Sequence, residues 1–153
     1  MKENTQSCSN ELIFIPHNVP SLKNGKVKTS KGIFSSKTVK KYLTLLGIQG
    51  YSSGRKEVKE FKRRENEFRK IIPLIEEQMI GKTEPIKMGF HFVRNSKRDF
   101  DFNNANQLIA DLLVAHDVIE DDCMRVFLPF PLEVDGRYYT VDKENPGVYI
   151  KIL

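Results

Sequence analysis

Seven acidic residues and no Lys or Arg lie between Asp99 and Asp122, in a chain whose formal net charge is +5. Asp99 and Asp101 are two positions apart, so on extended backbone their side chains point the same way. Carboxylate oxygens and water are the ligands that Mg²⁺ takes in proteins. Two carboxylates on one side of a strand end are therefore a natural start for a divalent-cation site.

The segment after this pair has the pattern of a helix from about residue 103 to residue 116. Its apolar face contains four aliphatic residues, Leu108, Ile109, Leu112 and Leu113. Asn104, Gln107 and Asp111 are spaced i, i+3 and i+7, so they share the polar face. If the helix packs back on the strand, the loop that ends in Asp121–Asp122 returns towards the strand end. Three or four carboxylates then converge, and because like charges repel, such a cluster requires a cation.

The same acids also have a purely structural interpretation. Asp99 and Asp101 can cap the helix and interact favourably with its dipole. Asp121 and Asp122 can be turn residues that face water. The spacing alone leaves both interpretations open.

The elements that must position these residues follow from hydrophobic periodicity and turn residues. ELIFIP (residues 11–16) predicts a short strand, and the Lys-rich stretch from 21 to 36 predicts a loop. A helix over 37–47 and a long helix from about 55 follow, and Pro73 predicts a kink or an interruption of the second near Ile72.

The second half of the chain predicts four strands around the helix of residues 103–116. PIKMGFHFVR (85–94) alternates as a half-buried strand does. RVFLPF, GRYYTV and GVYIKI predict three more strands, with a turn at Asp135–Gly136. Tyr138 and Tyr139 stand together, as an ordinary amphipathic strand would place them; the alternative is an interface or a base-stacking surface. The order of elements predicts an α/β or α+β layer of sheet and helices.

Composition and length indicate one ordinary globular domain. The chain has 153 residues, 39% hydrophobic and 29% charged. We expect residues 1–11 to form a flexible N-terminus and 12–153 to form the folded domain. No apolar run is long enough to span a membrane and the N-terminus lacks a secretory signal, so we expect a cytoplasmic protein with free Cys8 and Cys123.

Positive charge is concentrated early in the chain. No Asp or Glu occurs from Leu12 to Lys56, and this segregation favours a polyanionic partner. Lysine contacts to phosphates would give affinity and salt dependence rather than sequence preference. The alternative is a solvated loop that keeps the protein soluble. The lysines predicted to contact DNA are Lys23, Lys26, Lys28, Lys31, Lys37, Lys40 and Lys41.

The acidic stretch resembles the signature of the RusA-type Holliday-junction resolvases, small endonucleases of phages and prophages. That signature is Asp-x-Asp-Asn, a Lys three residues after the Asn, an Asp on the next helix and an Asp-Asp pair in the loop beyond. Without gaps, Asp101 and Asn104 match the first Asp and the Asn, Asp111 matches the helix Asp, and Asp121–Asp122 match the closing pair. The resemblance is strongest over residues 84–126.

The chain departs from this signature at two positions. Asn103 stands where the second Asp is expected, and Gln107 stands where the Lys is expected. An amide oxygen can still bind a cation, but it brings no charge. In a second register Asp99-Phe100-Asp101 is the Asp-x-Asp pair, and Lys97 and Arg98 supply the positive charge. The sequence leaves both registers open.

The resemblance implies a homodimer that binds four-way DNA junctions and cuts them with Mg²⁺ or Mn²⁺. It also implies a small mixed sheet with helices packed on it. The catalytic and metal-binding carboxylates would be Asp101 and Asp122, then Asp99 and Asp121, with Asp111 as a further ligand or as a residue that orients one. Two alternatives remain open: a catalytically impaired relative that binds junctions, and a small interaction protein without nuclease activity.

Overall fold

The fold is taken from a computed structural model that describes residues 11–20, 26–30, 32–35, 42 and 70–153, with the strands at 26–29 and 32–35 described by their backbone. The predicted flexible segment 1–11 lies outside these residues except for Glu11. Within the described ranges, no helix has the length and apolar character needed to cross a membrane.

A mixed five-stranded sheet forms the centre of the molecule, which confirms the predicted α+β class. The strands are β1 (Ile13–Pro16), β4 (Ile86–Arg94), β5 (Phe127–Pro131), β6 (Tyr139–Val141) and β7 (Gly147–Ile152). Their order is β1-β7-β4-β5, and β6 also pairs with β4. β7 is antiparallel to both of its neighbours, while β5 and β6 are parallel to β4 and follow one another along the same side of it.

Among the described residues, two helical segments longer than one residue contribute to the core beside this sheet. α1 is described over 70–79, and α2 runs from Phe102 to Ala115. The predicted apolar face of α2 is confirmed, because its four aliphatic residues are buried in the cluster that also contains Ile75 of α1. α1 continues through Pro73 over 70–79, so of the predicted kink or interruption near Ile72 the interruption does not occur, and the kink stays a prediction. From the predicted helix at 37–47 the described residue is Tyr42, which is helical and buried.

Strand β4 is buried on both faces, where the sequence predicted one. Ile86, Met88, Phe90 and Phe92 are in the core as expected, but His91 and Val93 are buried as well. The described contacts on this second face include the carbonyl oxygen of Leu132, in the segment after β5, which lies 3.0 Å from His91 Nδ1. At Gly89 a Cβ atom would lie 3.1 Å from the Leu132 side chain, so that side chain covers the strand there.

The Lys-rich stretch contains a hairpin, so the loop predicted for it is wrong. β2 (Lys26–Thr29) pairs antiparallel with β3 (Gly32–Ser35), and Thr29 lies opposite Gly32. Each strand has only four residues, too few for the alternation that identifies strands in a sequence. The turn signal Asn24-Gly25 also precedes the hairpin and does not connect its strands.

The turn before β6 has the predicted position. Asp135 and Gly136 both have positive φ angles, 51° and 74°, and a bridge between Val134 and Arg137 closes the turn. Positive φ at both central residues is the requirement of the tight hairpin turns that favour Asp-Gly. The turn brings the chain from the end of β5 to Tyr138 and β6.

Candidate functional site

Asp101 is the N-cap of helix α2. Its backbone is extended (φ −95°, ψ 119°), and its Oδ1 accepts a hydrogen bond from the backbone N–H of Asn103 at 2.9 Å. An N-cap carboxylate satisfies one of the unpaired N–H groups of the first turn and interacts favourably with the helix dipole. The capping interpretation is therefore confirmed for Asp101, and this role leaves any further role of the carboxylate open.

Gln107 connects two of the acids that the sequence singled out. Its side-chain Nε2 donates to Asp111 Oδ1 at 3.0 Å and to Asp122 Oδ2 at 2.6 Å. An amide nitrogen carries two hydrogens, so each carboxylate takes one. Asp111 on the helix and Asp122 at the end of the loop therefore lie on either side of one amide nitrogen, each within hydrogen-bond distance of it.

The three side chains of this cluster are on the surface. Gln107, Asp111 and Asp122 are all exposed, so water screens the repulsion between the two carboxylates. The amide adds donors without adding charge, so both negative charges remain. We call these three residues the Gln107 cluster.

Asp121 has a separate role in shaping the loop. Its Oδ1 accepts the backbone N–H of Asp122 at 2.8 Å. That hydrogen bond, followed by one from Cys123, holds the pKa of the Asp121 carboxyl below its usual value, because both favour the charged form. Arg125 adds a smaller attraction in the same direction. The loop therefore presents Asp122 to the helix while Asp121 turns back on its own backbone.

The expected convergence of three or four carboxylates is not found in the described part of the chain. There, no group of three or more His, Cys, Asp or Glu side chains is arranged to hold a metal ion. Asp101 precedes Gln107 by six residues, which is about 9 Å along a helix axis. Asp99 lies in a groove with Phe100 and Tyr139, among other residues. The acids the structure brings together are Asp111 and Asp122.

Most of the lysines predicted to contact DNA lie outside the described residues. These are Lys23, Lys31, Lys37, Lys40 and Lys41. Lys26 and Lys28 occupy alternate positions of β2. Lys97, considered in the sequence as a source of positive charge near the acids, lines a groove beside β6.

His91 is a packed residue that joins neighbouring elements. It is 1% exposed, and its Nδ1 lies 3.0 Å from the carbonyl oxygen of Leu132. Because a carbonyl can only accept, Nδ1 carries the hydrogen. Its Nε2 lies 3.2 Å from Thr140 Oγ1. The imidazole therefore fixes β6 and the segment after β5 to the central strand.

The sequence placed Gln107 on the polar face with Asp111 and marked it as a departure from a signature, but its hydrogen bonds were not predicted. A signal for one of them was present, because Gln and Asp at i and i+4 of a helix are neighbours. The contact with Asp122 had no local signal. Comparisons with protein-family models, curated proteins and solved structures find no match to this chain.

Proposed function

We propose that this chain is a Mg²⁺-dependent, structure-specific DNA endonuclease that cuts four-way junctions as a homodimer. The observation that carries the proposal is the Gln107 cluster, in which Asp111 and Asp122 face each other. These are two of the acids that the resemblance to the RusA-type resolvases assigns to the site. The net charge of +5 supports a polyanionic substrate.

The two carboxylates of the Gln107 cluster are of the ligand type that Mg²⁺ takes. This ion keeps several water molecules and is commonly bound through one or two carboxylates together with substrate phosphates. Asp111 and Asp122 would supply these carboxylates. The Nε2 hydrogens of Gln107 occupy Asp111 Oδ1 and Asp122 Oδ2, so a cation and the amide compete for the same oxygens.

The chemistry follows from this arrangement. When bound, Mg²⁺ lowers the pKa of an attacking water and stabilises negative charge on the phosphate. Asp111 and Asp122 would hold the ion at the surface, where a DNA backbone can reach it. Asp101, Asp99 and Asp121 remain proposed as further ligands or orienting groups, with Asp101 also capping α2.

The lysines between Lys23 and Lys41 would hold the DNA through its phosphates. A two-fold dimer would present two equivalent sites to the paired strands of a junction. We place the protein in the cytoplasm, where DNA is accessible to it.

The second candidate function is junction binding without cleavage. The observation that favours it is the neutral amide of Gln107 at the position where the resemblance expects a Lys. An ammonium there would stabilise developing negative charge, and an amide does so less. Binding by the lysines would be unaffected by this difference.

The decisive experiment incubates the full chain with a labelled four-way junction in Mg²⁺ and separately in Mn²⁺. We expect wild-type cleavage, and its loss in Asp122→Asn, which keeps the size of the side chain but removes its charge. Asp117→Asn is the matched control, because Asp117 is exposed in the turn after the same helix and has no proposed role.

Tight binding without cleavage in either metal would support the second candidate. Cleavage that survives in Asp122→Asn would exclude the Gln107 cluster as the cation site. Absence of both binding and cleavage would favour a small interaction protein.

A further inference from the structure

An exposed aromatic surface lies at the edge of the sheet, outside the Gln107 cluster. Tyr138 is 60% exposed and Tyr139 is 47% exposed. Both follow the Asp135–Gly136 turn, and Tyr139 begins the short strand β6. We call Tyr138 and Tyr139 the tyrosine pair.

Two grooves meet at the tyrosine pair, and both tyrosines line each of them. The first groove has a volume of about 680 Å³ and carries the cations Lys97 and Arg137. The second has a volume of about 410 Å³ and carries Asp99 with Phe100 and Phe102. The tyrosine pair therefore separates a basic groove from an aromatic groove that contains one carboxylate.

The ring of Tyr139 packs on a side chain that contacts the core. It packs edge-on against Phe100, with centroids 5.3 Å apart and rings at 79°. Phe100 packs in the same way against Phe92 of β4 at 5.7 Å, and the Arg94 guanidinium lies 4.7 Å from the Phe100 centroid. Thr140, the next residue, contacts the buried His91. The Tyr139 ring is therefore already positioned before binding and loses little side-chain freedom when a ligand binds.

We propose that the tyrosine pair binds an unpaired DNA strand, with bases stacked on the tyrosine rings and phosphates contacted by Lys97 and Arg137. Stacking needs a base whose face is free, which an unpaired strand offers. Lys97 and Arg137 complement the charge of a polyanion. In a two-fold contact with a second copy of the chain, the same two cations of each copy would face each other and repel. This inference rests on the proposed DNA substrate and not on the metal chemistry.

The test measures binding of the full chain to a fluorescent single-stranded oligonucleotide by anisotropy, with EDTA present. We expect the dissociation constant of the Tyr138→Leu/Tyr139→Leu variant to rise by about tenfold or more, since stacking on an aromatic side chain contributes about fivefold or more per base and two rings are removed. Tyr138→Phe/Tyr139→Phe keeps both rings and should bind like the wild type. Lys97→Glu/Arg137→Glu, at exposed positions, should weaken binding without altering the core.

Two controls separate the surface from general effects. Met124→Ala removes a side chain that is 78% exposed on the loop before β5. Lys87→Glu changes a lysine at the other end of β4, in a groove lined by Gly81 and Leu153 among other residues. Both should bind like the wild type.

Unchanged affinity in the leucine and charge variants would overturn the proposal. A change from dimer to monomer in the leucine variant, measured by sedimentation with affinity retained, would also overturn it and assign the surface to self-association. Wild-type binding that depends on the tyrosines, without junction cleavage in Mg²⁺, would keep this inference and reject the nuclease. Junction cleavage by the wild type, together with strand binding that does not depend on the tyrosines, would keep the nuclease and reject this inference.

Discussion

Gln107 is the residue on which the interpretation of the acidic stretch depends. One amide nitrogen donates to both Asp111 and Asp122. The amide therefore holds the two carboxylates near each other, as a bound cation would. The amide satisfies the two acceptors but leaves their charges in place. Removing the amide should therefore expose how much the two carboxylates repel, and whether a cation can take its place.

We expect Gln107→Leu to lower the free energy of unfolding by about 1 kcal/mol in EDTA, because both hydrogen bonds are lost at an exposed site. Mg²⁺ should restore stability in this variant, because a cation that binds only the folded state stabilises it by mass action. Thermal unfolding with and without Mg²⁺ measures both effects. Gln107→Leu combined with Asp122→Asn is the control and should not respond to Mg²⁺. An equal response in both variants would contradict a cation site between Asp111 and Asp122.

Tyr42 provides a second residue-level prediction, this time on pH dependence. It is 3% exposed, and its hydroxyl has no hydrogen-bond partner among the described residues. Burial raises the pKa of this phenol above its usual 10.0, because the charged form is disfavoured. The folded state therefore holds the proton more tightly than the unfolded state, and stability should fall as the pH rises above 10.

We expect Tyr42→Phe to raise the free energy of unfolding by about 1 kcal/mol at neutral pH, because it removes a buried hydroxyl without a partner. The variant should also lose the part of the alkaline destabilisation that this phenol causes. Urea unfolding at neutral pH and above pH 10 measures both. A variant that is less stable at neutral pH would indicate that the hydroxyl makes a bond in solution.

At the scale of the element, α2 was predictable because its information is local. The apolar positions Leu108, Ile109, Leu112 and Leu113 recur with the helical period, and all are buried. The second face of β4 was not predictable in this way, since the contacts of His91 are with Leu132 and Thr140, which lie 41 and 49 residues further along the chain. The approach of Asp122 to Gln107 depends on the path of the loop after α2, and residue spacing carries no measure of that path.

Asp101, at the N-terminus of α2, has a structural role as the helix cap and a proposed chemical role as a cation ligand. Asp101→Ala should lower the free energy of unfolding by about 1 kcal/mol, because the bond to the Asn103 N–H is lost. Asp101→Ser should be close to wild type in stability, because serine caps equally well. Chemical denaturation measures this difference. Equal stability of the Ala and Ser variants would show that the cap bond contributes nothing.

The serine variant also tests the proposed ligand. It keeps the cap and removes the carboxylate, so its junction cleavage reports on the charge of Asp101 alone. Cleavage lost in Asp101→Ser, with stability intact, would support Asp101 as a cation ligand or orienting group. Cleavage retained would restrict Asp101 to capping.

At the scale of the whole molecule, the charge distribution distinguishes two interpretations of the chain. In one it binds DNA, and in the other its acidic residues have only a structural role. The chain combines a net charge of +5 with an acid-free segment from Leu12 to Lys56 and an acid-rich segment from Asp99 to Asp122. A polyanion would be attracted to the acid-free segment, whereas the acid-rich segment would repel it unless a cation is bound there. The two segments therefore contribute separately to DNA binding, and the salt dependence of binding in EDTA measures the contribution of the acid-free segment.

We expect the logarithm of the junction association constant, measured by anisotropy in EDTA, to fall linearly with the logarithm of salt concentration, with a slope of about −0.9 per phosphate contact. Lys40→Gln/Lys41→Gln should make the slope shallower by about 1.8, because two such contacts are lost. Lys82→Gln/Lys143→Gln, at exposed positions outside the acid-free segment, is the matched control and should leave the slope unchanged. If both double variants reduce the slope equally, binding follows total charge alone, and the acid-free segment loses its proposed role as the DNA-contacting surface.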